Sequence, residues 1–140
     1  MQGIRRKIVY VALFELIAIA ITSLGLAMLA NQPLGHAGIA AATTSLIAVL
    51  WNLVYNTAFE AWESRQVVRG RSVARRVAHA IGFEGGLVLM LVPYFAWWLD
   101  VSLWQAFVLD LGLIVFFLVY TFLFNLGFDR IFGLPSSAAP

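Results

Sequence analysis

The chain has 140 residues, 62% of them hydrophobic and 11% charged, with no cysteine and a formal net charge of +2. So few charges among long apolar runs mark an integral membrane protein and exclude disulfides and thiolate metal sites. With two histidines in all, no metal-ligand spacing, no glycine-rich phosphate loop and no nucleophile motif, the chain does not read as an enzyme, and no cofactor, metal or nucleic acid is expected as a partner.

Taken in chain order, a basic Arg5-Arg6-Lys7 start leads into a first apolar run, Ile8–Ala30. It ends in Ala27-Met28-Leu29-Ala30 and so mimics a signal peptide, but it is too long and contains Glu15; a retained first helix is expected. Further runs follow at Ala37–Phe59, Val77–Leu99 and about Ser102–Leu126. Each reaches the roughly 20 residues that a helix needs to cross a ~30 Å hydrocarbon core. The joints inside each pair are short, and short joints make helical hairpins. The expected fold is therefore an all-α membrane protein of four transmembrane helices. Its expected organisation is a first helix pair over residues 1–62, a cytoplasmic linker over 63–75, a second pair over 76–132 and a short tail over 133–140. All nine basic residues fall in the N-terminus, the linker region and Arg130, and the two opposite loops have none. The positive-inside rule then puts both termini and the linker in the cytoplasm of a bacterial inner-membrane protein.

The chain writes itself twice. Lys7-Ile-Val-Tyr10-Val-Ala-Leu-Phe14-Glu15 returns as Arg76-Val-Ala-His79-Ala-Ile-Gly-Phe83-Glu84, 69 positions later (15 to 84). At the same offset, Trp51-Asn52-Leu-Val-Tyr55-Asn56-Thr-Ala-Phe59-Glu60 returns as Tyr120-Thr121-Phe-Leu-Phe124-Asn125-Leu-Gly-Phe128-Asp129. Because each unit crosses twice, the two hairpins are parallel repeats, an architecture familiar in transporters.

Three acids lie inside apolar segments, where a central charge costs roughly 2.5–3.5 kcal/mol. Glu15 sits about seven residues, or ~10 Å, into the first helix at the α-helical rise. A buried carboxyl holds a proton more readily than a solvated one, and a proton and a cation competing for one carboxylate is the minimal antiport scheme. The structural alternative for Glu15 is an interhelical hydrogen bond or a salt bridge. Glu84, flanked by Gly82, Gly85 and Gly86, reads equally as a second functional acid or as a packed, hydrogen-bonded one. Asp110 has Ala41 as its counterpart and so breaks the repeat. It reads as a cation exit site or as a solvated interfacial acid.

Among the remaining polar and aromatic residues, Tyr10 and His79 occupy matching positions near the inner boundary, as wet-ended anchors or, for His79, a proton relay. Asn52 and Asn56 share a helix face with Ser45. They serve as interhelical glue, with Asn52 deep enough to line a cavity. Trp51 lies too deep for an interfacial belt; its indole offers a π face to an organic cation or fills a packing gap. Trp62, Trp97, Trp98 and Trp104 read as an aromatic belt, and Glu60 and Asp129 as salt-bridged acids at the inner ends of helices two and four.

These motifs give the chain a resemblance to the proteobacterial antimicrobial compound efflux family, also described as a duplicated bacterial transmembrane pair, whose prototype exports chlorhexidine. The resemblance spans about residues 5 to 132. Arg76, His79, Phe83 and Glu84 meet the helix-three pattern, and Phe14 and Glu15 fit in helix one, where Lys7 and Tyr10 depart from Arg and His. Trp51, Asn52, Tyr55, Asn56 and Phe59 meet the helix-two pattern; Tyr120, Thr121, Phe124, Asn125 and Asp129 meet that of helix four. The resemblance implies proton-coupled export of organic cations such as biguanides, acridines and quaternary ammonium biocides, with short diamines as native substrates, and it implies Glu15 as the coupling residue. The expected substrate and coupling set is Glu15, Trp51, Asn52, Tyr55, Glu84 and Asp110, supported by Tyr10, Asn56, His79 and Tyr120. A non-transporting membrane scaffold or assembly protein is the competing reading. A small multidrug resistance-type exporter is another, although that type lacks parallel hairpin repeats and a one-sided charge bias. Four helices leave little room for a drug-sized cation, so a parallel homodimer with a cavity at its interface is expected.

Overall fold

The computed structural model describes residues 2–68 and 70–134. Arg69 of the linker and the tail from position 135 onward lie outside them. Four helices account for nearly all the rest: α1 (Gly3–Leu29), α2 (Leu34–Ser64), α3 (Val73–Trp98) and α4 (Leu103–Phe132). All four are long and apolar enough to cross a membrane.

Each helix runs four to six residues beyond the apolar segment at the linker end: α1 starts at Gly3 rather than Ile8, and α4 ends at Phe132 rather than Leu126. The linker accordingly shrinks to the stretch between Ser64 and Val73. An apolar run marks where hydrocarbon ends, whereas helical hydrogen bonding continues into the interface through good helix formers such as Arg5, Arg6, Lys7, Glu63 and Arg130.

At the opposite, hairpin end the two turns are copies of each other. Asn31 and Asp100, 69 apart, are the two non-glycine residues with positive φ among the described residues, 53° and 52°. Asn and Asp tolerate this left-handed conformation because a short polar side chain can satisfy the local backbone. The preceding residues close both helices, with Ala30 N–H on Leu26 O at 2.9 Å and Leu99 N–H on Phe95 O at 2.8 Å. Ser102 then starts α4 with a capping box to Gln105.

The helices pack in a ring, α1 on α2, α2 on α3, α3 on α4 and α4 on α1. The tight core lies towards the hairpin end, where Ala37, Ala40 and Ala106 are fully buried around Phe95 and Leu99. Small residues are what helices in lipid need, since close van der Waals contact replaces the hydrophobic drive between them. Large apolar side chains such as Leu16, Met28, Leu53, Ile81 and Phe122 point outward. At the linker end Arg6 ties the termini together, pairing with Asp129 at 2.7 Å and donating to Gly133 O at 2.5 Å. The ion pair of the other half runs instead from Arg71 to Glu63, at 3.0 Å.

Candidate binding cavity

Between the tight hairpin end and the linker end lies a half-open cavity of about 600 Å³ lined by all four helices. α1 gives it Phe14 and Glu15, α2 Thr44, Ser45 and Asn52, α3 Phe83, Glu84 and Leu91, and α4 Asp110, Phe117, Thr121 and Asn125. This volume lies inside the ~300–1,000 Å³ range of small-molecule sites. A single chain therefore offers a space of that size that is open on one side.

The three acids have different surroundings. Glu15 is half-buried and accepts a hydrogen bond from the Ser45 hydroxyl of α2. The position matching Ser45 in the second half is Ile114. Glu84 lacks that donor, and its Oε2 is buried without a hydrogen-bond partner among the described residues. Asp110 is 2% exposed. Its Oδ2 is likewise without a partner, and it lies within electrostatic reach of Glu84. Of the two sequence readings of Asp110, a cation exit site or a solvated interfacial acid, the second does not fit its burial: the tight packing of the hairpin end, with Ala106 fully buried one turn away, removes the carboxyl from solvent.

Beside the cavity run two seams built by the same residue positions, α2 against α3 and α1 against α4. On the first, Trp51 Nε1 donates to Phe83 O at 2.9 Å; on the second, Tyr120 OH donates to Phe14 O at 2.8 Å. His79 Nε2 donates to Asn56 Oδ1 at 2.6 Å, and Tyr10 OH to Asn125 Oδ1 at 2.5 Å. Phe59 meets His79 edge-on with centroids 4.7 Å apart, as Phe128 meets Tyr10 at 5.2 Å. Every one of these pairs maps onto its twin at an offset of 69. The repeated motif is thus a seam motif, in which aromatic donors and amides satisfy backbone and side chains of the next helix, each bond worth about 0.6–2 kcal/mol in lipid.

Of the residues expected at the site, Glu15, Asn52, Glu84 and Asp110 line the cavity, while Trp51, Tyr55, Tyr10, Asn56, His79 and Tyr120 build the seams and do not. Asn52 accepts from Asn56, extending the His79 bond towards the cavity. Tyr55 donates to His79 O at 3.0 Å. Gly82 and Gly86 receive Tyr55 and Trp51 of the same chain, so closely that a Cβ on Gly86 would lie 2.3 Å from Trp51 Cζ2. Gly85 meets nothing within 4 Å. Sequence reading did not foresee Ser45 as the partner of Glu15, because helical periodicity fixes a face but not the rotation of one helix against another.

The profile of the family described as chlorhexidine efflux transporter matches the chain twice, at residues 2–65 and 71–134. The chain belongs to this family. Each family match covers one hairpin, so the duplication seen in the seams is the family's own unit. Three proteins named short-chain diamines transporter are similar along most of their length. That of Acinetobacter baylyi is 38% identical over 127 residues, covering 91% of this chain and 89% of the relative. That of Vibrio parahaemolyticus is 35% identical over 125 residues, 89% of each. The Acinetobacter baumannii protein is 34% identical over 127 residues, 91% of this chain and 88% of the relative. No solved structure matches. This member of the chlorhexidine efflux transporter family is a multi-pass membrane transporter, not an enzyme.

Proposed function

We propose that the chain exports organic cations, short diamines foremost, across the bacterial inner membrane in exchange for protons. The observation that carries this reading is the convergence of Glu15, Glu84 and Asp110 on one cavity. Carboxylates in a low-dielectric space attract ammonium groups strongly and bind protons in their absence. Glu15 is the coupling residue: it is accessible from the cavity, and the Ser45 hydroxyl orients it. The relatives' names support diamines, and the cavity volume also admits parts of larger cations such as biguanide, acridine and quaternary ammonium biocides. The nine basic residues at the linker end support cytoplasmic termini. A homodimer formed under that single orientation would be parallel.

Proteoliposomes carrying a pH gradient test the reading. The wild type should release protons on addition of putrescine, and Glu15→Gln should abolish this while keeping the folded elution and melting profile. Proton release by Glu15→Gln at the wild-type rate would refute the coupling role.

A further inference from the structure

We propose that Asp110 is a second cation-binding position. It takes the far ammonium of a diamine whose near ammonium is held at the level of Glu15 and Glu84. The inference rests on the transport reading above and adds a two-point mode of binding to it.

Glu15 and Glu84 stand fourteen residues from the hairpin ends of α1 and α3, and Asp110 seven from that of α4. At 1.5 Å per residue this sets Asp110 roughly 10 Å nearer the hairpin end along the helix axes. The cavity is therefore acidic at two levels. Its wall in between includes Leu87, Leu91 and Leu113, a surface suited to methylene groups.

Asp110 belongs to the wall of the cavity and is 2% exposed, with its buried Oδ2 unpartnered among the described residues. A buried carboxylate needs a compensating charge or hydrogen bonds. Glu84 cannot serve, because it too is an acid with an unpartnered buried oxygen. Among the described residues, no lysine or arginine lines the cavity. An incoming ammonium group satisfies both demands at once.

The repeat sharpens the point. Both halves carry the glutamate, but the position equivalent to Asp110 is Ala41, which is buried in the core. A monocation would need no third acid. A dication lying along the membrane normal needs one acid level for each end, and a single Asp110 supplies the second.

The test compares putrescine with n-butylamine, which has the same chain length and one charge, as competing substrates in proteoliposomes. The wild type should prefer putrescine. Asp110→Asn should lower its apparent affinity relative to butylamine about tenfold or more, as expected for loss of a charged hydrogen-bond partner, and Asp110→Glu should restore part of the difference. A wild type that does not distinguish the two amines overturns the proposal without any variant. So does Asp110→Asn with an unchanged ratio, whether both amines move normally or both fail together. A wild type that moves neither amine refutes the transport reading itself, and the second subsite with it.

Discussion

The α2–α3 seam and the α1–α4 seam use equivalent positions, and they agree towards the linker end but part at the hairpin end. On the α2–α3 side, His36 and Trp98 stack with centroids 4.2 Å apart and exchange hydrogen bonds with each other's backbone, Trp98 Nε1 on His36 O at 2.9 Å and His36 Nε2 with Trp98 O at 2.6 Å. The equivalent residues on the other side are Gln105 and Leu29. There, an apolar groove of about 570 Å³ opens between α1 and α4, with Thr22 and Gly112 in its wall. Two halves of one ancestry thus carry a latched seam and an unlatched one. At the hairpin end, the α1–α4 seam has less holding it closed.

The largest test of this comparison acts on the latched seam. Gly86→Val should cost about 2–3 kcal/mol, because its Cβ would lie 2.3 Å from the Trp51 ring and overpacking is relieved only by moving side chains and backbone. Gly85→Val, with nothing within 4 Å, should unfold near the wild type. Unfolding in mild detergent measures both, and equal losses would show that the ring contact is not what matters.

A smaller effect is expected from moving the unlatched sequence onto the latched seam. The His36→Gln, Trp98→Leu double variant should lose about 1–2 kcal/mol, from two hydrogen bonds and a stacked pair. Hydrogen exchange should rise around Phe95–Leu99. Exchange that stays at the wild-type level would mean that the core alone holds this end.

The smallest effects test where the seams agree. Tyr120→Phe removes only the donor to Phe14 O and should cost about 0.6–2 kcal/mol. Trp51→Phe removes the donor to Phe83 O and also the part of the indole packed on Gly86, so it should cost more; a loss no larger than that of Tyr120→Phe would show that the ring contact adds nothing to the bond.

Much of the architecture was legible in the sequence. Apolar runs of membrane length set the number of helices, because the hydrocarbon thickness fixes how long such a run must be. The offset of 69 matched the positions of the two halves, Tyr10 to His79 and Asn56 to Asn125. The cavity set was legible only in part. Glu15, Asn52, Glu84 and Asp110 were recognisable as polar groups out of place in lipid, but Trp51 and Tyr55, equally conspicuous, turn out to pack on Gly86 and Gly82. Trp98, which reads as one belt tryptophan among four, is instead half of the latch.

Along one helix, then, sequence alone determined apolar character, duplication and the presence of acids inside apolar runs, since each is a property of residue type and spacing. The tertiary structure decided everything that depends on the rotation and approach of one helix against another. It gave Glu15 a hydroxyl partner in Ser45 and denied one to Glu84, where Ile114 stands. It buried Asp110 and left one seam open at the hairpin end. Helical periodicity assigns a residue to a face, but which face meets which neighbour is settled by the packing of all four helices at once.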